Sequence, residues 1–317
     1  MSVLNSNNYK IAIVPEVTYG VQVKNLTTGG GVFFDSRLEW SRTPKTVDRS
    51  KKTNSLAAAP NETKVTGEMF TATMSGDLTD GHEILLQGYF DDASSPYMHP
   101  VHLGTTKSYN VYQLYLDATG ACTHYDVLLG CAITQLTLTG EVNGIWQFSA
   151  KIEATSYRQY VANTSTDALT LASGLPVSGD PFLFGHTAIG AGMFQFTILS
   201  ANIDLVKTMV DDKHRYQNSM AKINDAYIGA GGTVTWEEEW DGAANQTDQS
   251  YVQNETDNAT SIVLANASKT WTFDLNGVIT EATRPDADKG LYVGNYTMKL
   301  TASSLGDAPV NVTVASV

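Results

Sequence analysis

Six histidines and two cysteines are the side chains of this 317-residue chain best suited to metal or nucleophilic chemistry. His99 and His102 form the one close histidine pair, in His99-Pro-Val-His102. A zinc site there needs a third and fourth ligand, for which Asp91 and Asp92 are the nearby carboxylates. The Pro-rich setting reads instead as a loop with solvated histidines. Asp286-Ala-Asp288-Lys-Gly290 echoes the start of a calcium loop, but Thr297 stands where the twelfth-position carboxylate belongs, so it reads as a polar turn. Cys122 and Cys131 are too few for a disulfide framework and wrongly spaced for a zinc knuckle, which leaves two half-buried free thiols. The chain has no G-x-S-x-G elbow, no phosphate-binding G-x-x-x-x-G-K-[ST] and no H-E-x-x-H. The expectation is therefore no catalytic residues, no cofactor and no metal. Asn-x-Ser/Thr triplets such as those at Asn254 and Asn295 reflect a chain rich in Asn and Thr.

Two charge groupings carry more information. Arg37, Arg42, Lys45, Arg49, Lys51 and Lys52 crowd a short segment, interrupted by Asp48 and holding no stacking aromatics in its loop. It reads as a solvated loop, a nucleic-acid patch, or a contact onto an acidic neighbour. The second grouping is Trp236-Glu237-Glu238-Glu239-Trp240-Asp241. In a strand, Trp236, Glu238 and Trp240 share one face and Glu237 and Glu239 the other. Such charges either protect an exposed edge from unwanted pairing or keep a surface negative.

The elements that position these groups are mostly strands. Residues 145–153 alternate Trp, Phe, Ala, Ile with a mainly polar face, and 270–275 alternate likewise before Asn276-Gly277, a pair suited to a tight hairpin turn. Similar alternation marks 34–40, 194–198, 292–302 and 310–314. One short helix is expected over 80–90, with Asp80 as cap and Glu83 closing a capping box. Hydrophobic residues make up 42% and charged residues 17%, which is globular composition. No stretch reaches the roughly 20 apolar residues needed for a spanning helix, and the opening Met1-Ser-Val-Leu-Asn lacks a basic-then-apolar export pattern. Formal net charge is −13: residues 1–160 hold 12 basic against 15 acidic side chains, and the remainder 8 against 18. Such a chain repels nucleic acid.

Element order repeats along the chain. The first part runs strand (32–40), polar loop (41–62), strand (63–76), helix (80–90) and a strand pair. The second runs strand (194–206), polar loop (207–222), strand (231–240), short helix (248–254) and further strands. The fold expected is mainly β: two tandem β-sandwich or barrel modules at 1–160 and 193–317, each with a short helix, joined by a Ser/Thr/Gly/Pro-rich connector at 161–192.

Pro15-Glu16-Val17-Thr18-Tyr19-Gly20-Val21 resembles the E-x-T-Y-G-T opening of the major tail tube proteins of long-tailed, siphovirus-like bacteriophages, with Val21 where Thr is frequent in that family. Gly67-Glu68-Met69-Phe70-Thr71-Ala72, followed by Leu85-Leu86-Gln87-Gly88, resembles its next strand and helix. Gly130-Cys131-Ala132-Ile133-Thr134-Gln135-Leu136-Thr137-Leu138 resembles its G-C-x-V/I-x-x-L-x-L strand. The likeness covers about 10–157; over 190–317 it rests on element order. It implies a structural virion protein, not an enzyme, assembled in the bacterial cytoplasm and residing in the virion tail. Stacked rings of it would form the hollow tube that conducts DNA during ejection. Its partners would be itself, a tape measure protein and a tail terminator, with passing double-stranded DNA left unbound and no membrane involved. Two modules per subunit imply a ring of three copies; a single lumen-lining module implies six. Under this reading Glu237 and Glu239, with Glu68 and Glu141 as first-half counterparts, face the lumen. Arg42, Lys45, Arg49, Lys51 and Lys52 reach the neighbouring ring. The alternative is another β-rich virion surface protein: a capsid decoration protein, or an adhesin with Trp236, Trp240 and Tyr251 as a sugar platform.

Overall fold

The computed structural model describes residues 9–27, 31–33, 36–48, 63–98, 107–164, 167–171, 179–189, 198–209, 215–217, 220–222, 227–239, 257–283, 286–288, 291–302 and 308–317. Among these the chain is mainly β. The strands of the first half are β1 (Tyr9–Pro15), β2 (Gly31–Phe33), β3 (Arg37–Asp48), β4 (Thr63–Asp77), β5 (Tyr97–Met98), β6 (Tyr109–Leu116), β7 (Cys122–Glu141), β8 (Gln147–Ala154) and β9 (Ser156–Ala162). Those of the second are β10 (Ala188–Ile189), β11 (Ile198–Met209), β12 (Arg215–Gln217), β13 (Met220–Lys222), β14 (Tyr227–Glu239), β15 (Asp257–Ala265), β16 (Lys269–Ala282), β17 (Asp286–Asp288), β18 (Leu291–Leu300) and β19 (Val310–Ser316).

One antiparallel run spans the molecule in the order β3–β4–β8–β7–β11–β14–β18–β16. Two smaller layers fold against it. The first is β2–β1–β6–β7–β9 and the second β10–β15–β16–β19–β5. β7 and β16 belong to two layers each. In β7, residues 124–129 pair with β6 and β9, while residues 132–139 pair with β8. In β16, residues 269–275 pair with β15 and β19, while 277–282 pair with β18. Each long strand thus makes a sandwich corner, as strands that switch sheets do at bends and bulges.

The apolar core lies between the long run and the two smaller layers. It is continuous from Ile11 and Val111 through Leu136, Ile203 and Trp236 to Phe273 and Val312. A second cluster under the outer face of the first small layer holds Ala12, Val14, Tyr112, Tyr125 and Val127, covered by Leu26 and Leu169. Thr170 is bridged to Asn25 there. Within the segment expected as a connector, residues 167–171 thus cover this layer and β10 pairs with β15.

The expected helix is a 3-10 turn (Asp80–His82) leading into α1 (Glu83–Phe90). Its cap is Thr79, not Asp80, because His82 turns back: its Nδ1 accepts from the Thr79 N–H at 3.0 Å and lies 2.8 Å from the Thr79 hydroxyl. α1 is tied to the second half by Lys207, fully buried, whose Nζ is 2.7 Å from Asp91, and by Lys269, 2.5 Å from Glu83.

Four further expectations are corrected. Asn276-Gly277 makes no hairpin turn; β16 runs straight through it. A Cβ on Gly277 would lie 2.4 Å from the Lys299 carbonyl oxygen, so this glycine permits close approach of β18 where β16 changes layer. The segment expected as a loop from residue 41 continues as strand to Asp48, paired with β4. The loop expected over 207–222 contains the β12–β13 hairpin, and Asp286–Asp288 is a strand on β18, not a turn. The helix expected over 248–254 lies outside the described residues.

Candidate functional site

The long run turns one face to the core and the other outward. Strand alternation puts Ala72 and Met74 of β4, Phe148 and Ala150 of β8, Leu136 and Leu138 of β7, Ile203 and Leu205 of β11, and Val234 and Trp236 of β14 inward; all are buried. The residues between them form rows across the strands on the outer face. One row is Ser75–Ser149–Thr137–Asp204–Thr233–Lys299. The next is Asp77–Gln147–Thr139–Asn202–Thr235–Thr297–Glu281. A third is Glu141–Ser200–Glu237–Asn295.

Hydroxyl, amide and carboxylate groups therefore dominate this face, which bonds to itself. The Asp204 carboxylate accepts from Gln135 Nε2 and Thr137 Oγ1, both at 2.8 Å. Thr139 Oγ1 donates to Asn202 Oδ1 at 3.1 Å. Its charges include Glu39, Asp77, Glu141, Asp204, Glu237, Glu239 and Glu281 against Arg37, Lys151 and Lys299, an acidic balance.

The acidic candidates fall here in part. Glu237 and Glu239 are half-buried on the polar face, alternating with Trp236 and Glu238, which are buried. Glu141 is exposed at the end of β7, one strand away from Glu237 across Ser200. Glu68 belongs to β4, paired in backbone with Pro44; its side chain lies outside the described residues. Of the basic candidates, Arg42 is exposed on β3 and Lys45 is paired with Gly67, while Arg49, Lys51 and Lys52 lie outside the described residues.

Other candidate groups separate. His82 is buried beside Ser36 and packs at a tilt against the Phe148 ring. Burial drives its pKa down from 6.5 to about 3. His124 stacks on Tyr160. His99, His102 and His214 lie outside the described residues. Both cysteines are buried and free, not half-buried. Burial pushes the Cys122 thiol up to about 11 and the Cys131 thiol well above its ordinary value. Trp236 is buried and stacked on Tyr296, which removes it from a sugar platform; Trp240 and Tyr251 lie outside the described residues. Among the described residues, no three His, Cys, Asp or Glu side chains gather as a metal site, and no helix is long and apolar enough to cross a membrane.

The Glu16-Val-Thr-Tyr19-Gly20 motif acquires a structural meaning. Glu16 Oε2 accepts from the Gly20 N–H at 2.8 Å, and Oε1 accepts from the Gly130 N–H at 2.7 Å and from Asn110 Nδ2. Gly130 is the point where β7 leaves one layer for the other, at φ +62°. Burial raises the Glu16 pKa against these hydrogen bonds. Sequence reading gave Glu16 no role because its partners lie up to 114 positions away. No family model matches the chain, and no curated protein matches it in sequence.

Proposed function

We propose that this chain is a structural subunit that self-associates edge to edge into a hollow tube, as the resemblance to phage major tail tube proteins implies. The observation that carries the reading is the long antiparallel run: apolar on one face, polar and net acidic on the other, and continuous across both halves of the chain. A sheet of this kind closes into a barrel by joining its ends, which removes its edges. Its polar face then becomes the wall of a water-filled bore. Carboxylates on that wall repel phosphate, so duplex DNA slides past instead of adhering.

The pairing scheme supports a doubled unit. In the first half the ladders are β1–β6, β6–β7, β7–β9, β7–β8, β8–β4 and β4–β3. In the second they are β10–β15, β15–β16, β16–β19, β16–β18, β18–β14 and β14–β11. Each ladder of one series has its counterpart in the other, in the same chain order. A register irregularity follows Ile133 where β7 meets β8, and another follows Ile279 where β16 meets β18. With those points superposed, Ile133-Thr134-Gln135-Leu136-Thr137 falls on Ile279-Thr280-Glu281-Ala282-Thr283, and Thr71-Ala-Thr73 falls on Thr233-Val-Thr235. Two such units per chain fit a ring of three copies with six similar units.

Negative-stain electron microscopy of the concentrated, purified chain tests the reading. Hollow tubes of uniform width, with six lobes end-on, are expected. Closed shells or persistent monomers at high concentration would count against it.

A further inference from the structure

In the doubled scheme one ladder joins the two units: β11 is paired with β14 of its own unit along one edge and with β7 along the other. β11 is the second unit's counterpart of β3, and β7 is the first unit's counterpart of β16. Among the described residues β3 is paired along one edge only, to β4. Beyond Val278, β16 is likewise paired on one side, to β18. The run therefore ends in two edges that are the counterparts of the two strands already joined at its centre.

The side chains of β3 reflect the difference. Ala201 and Ile203, on β11, are 3% and 0% exposed. Their counterparts, matched through the β4 and β14 ladders, are Leu38 and Trp40, which are only partly buried. A strand added beside β3 would cover them as β7 covers Ala201 and Ile203. Unpaired edges of this kind are sites of strand addition.

We infer that copies of this chain join head to tail, β3 of one copy adding antiparallel to the C-terminal arm of β16 in the next. The inference rests on the doubled, self-associating unit proposed above and assigns its contact. The central ladder sets the register. There Val206 faces Gln135, Leu205 faces Leu136 and Asp204 faces Thr137. Their counterparts put Thr43 opposite Glu281, Arg42 opposite Ala282 and Ser41 opposite Thr283.

The chemistry of these positions is complementary. In the central ladder Asp204 is the acceptor for Gln135 and Thr137. At the ends the roles are exchanged: the Ser41 hydroxyl is the donor and Glu281 the acceptor, with Thr283 beside them. On the opposite face the Arg42 stem lies over Ala282. The contact is heterologous, using a different edge on each partner, so it propagates until it closes into a ring.

Cysteine cross-linking of the full chain tests the register. Facing residues of an antiparallel pair have Cα atoms roughly 4.5–5.5 Å apart, within disulfide range. The doubles Thr43→Cys/Glu281→Cys and Arg42→Cys/Ala282→Cys cover both faces. Gln135→Cys/Val206→Cys is the internal control and should close within one chain. On mild oxidation at least one in-register double should give a ladder of covalent oligomers on non-reducing gels. Mixing the Thr43→Cys and Glu281→Cys singles, or the Arg42→Cys and Ala282→Cys singles, should stop at dimer. The off-register double Thr43→Cys/Thr283→Cys should lose the ladder. Tubes without in-register cross-links, or equal cross-linking off register, would overturn the inference while leaving the tube reading intact. In-register ladders without tubes would uphold the contact and reject the tube. No association, with the internal control closed, would reject both.

Discussion

Gly130 concentrates the local demands of the fold. Its φ of +62° is a left-handed conformation that costs other residues roughly 1–2 kcal/mol. A Cβ there would also sit 2.3 Å from Thr155 Oγ1 and 3.1 Å from the Tyr19 ring. Overpacking of this kind adds roughly 1–3 kcal/mol. Gly130→Ala should therefore destabilise the chain by about 2–5 kcal/mol, read as a fall in the urea midpoint of tryptophan fluorescence. Gly120 is the control: φ is +83° but nothing lies within 4 Å of its Cβ position. Gly120→Ala should cost only the conformational part, about 1–2 kcal/mol. Equal losses at the two positions would mean that the pivot of β7 is not sterically closed. The motif around Gly130 was legible in the sequence as a resemblance, but its physical cause was not. Glu16, Tyr19 and Gly130 meet only because β1 and β7 flank β6.

At the scale of elements, α1 shows how local and distant rules combine. Its position agrees with the short helix expected over 80–90. Its cap was misplaced because a buried histidine took the role that a carboxylate usually fills. His82 is 1% exposed, and burial holds its pKa at about 3, far below the ordinary 6.5. The unfolded chain therefore binds a proton between those values that the folded chain refuses. The stability that neutral His82 contributes is complete above about pH 6.5. It is lost as pH falls toward about 3, at up to roughly 1.4 kcal/mol per unit. His82→Gln keeps an acceptor for the Thr79 N–H and removes the titration. Urea midpoints measured from pH 7 down to pH 4 should fall more steeply for the wild type than for this variant. Parallel slopes would show that His82 charges freely in the folded chain. The Asn276-Gly277 signal failed for a different reason. A pair that favours a turn was overridden by ladders on both sides of β16, to β15 and to β18, which no local window contains.

For the whole molecule, the decisive property is charge distributed over one face. Alternation in the sequence located Glu237 and Glu239 correctly relative to Trp236. What it could not supply was the ladder that brings Glu141 of the first half into their row through Ser200. The consequence is a cluster of three carboxylates on a net acidic face whose uncharged positions are mostly Thr, Ser, Asn and Gln. Such a patch acts at short range, because salt screens it within about 8–10 Å. A duplex filling a narrow bore would pass inside that distance, whereas a duplex in bulk solution would not feel it. Replacing all three, Glu141→Lys, Glu237→Lys and Glu239→Lys, changes six charges per chain on the outer face and leaves the core residues untouched. Wild-type tubes should leave double-stranded DNA unbound. The triple variant, assembled into tubes of the same width, should retain duplexes and protect them from nuclease, and retention should fall steeply with added salt as counterions compete. Nuclease protection is the discriminating readout, since lysines on an outer surface would also bind DNA but leave it open to digestion. DNA bound yet digestible would place this face on the outside of the assembly, and the acidic rows would then serve solubility between neighbouring tubes instead of passage through one.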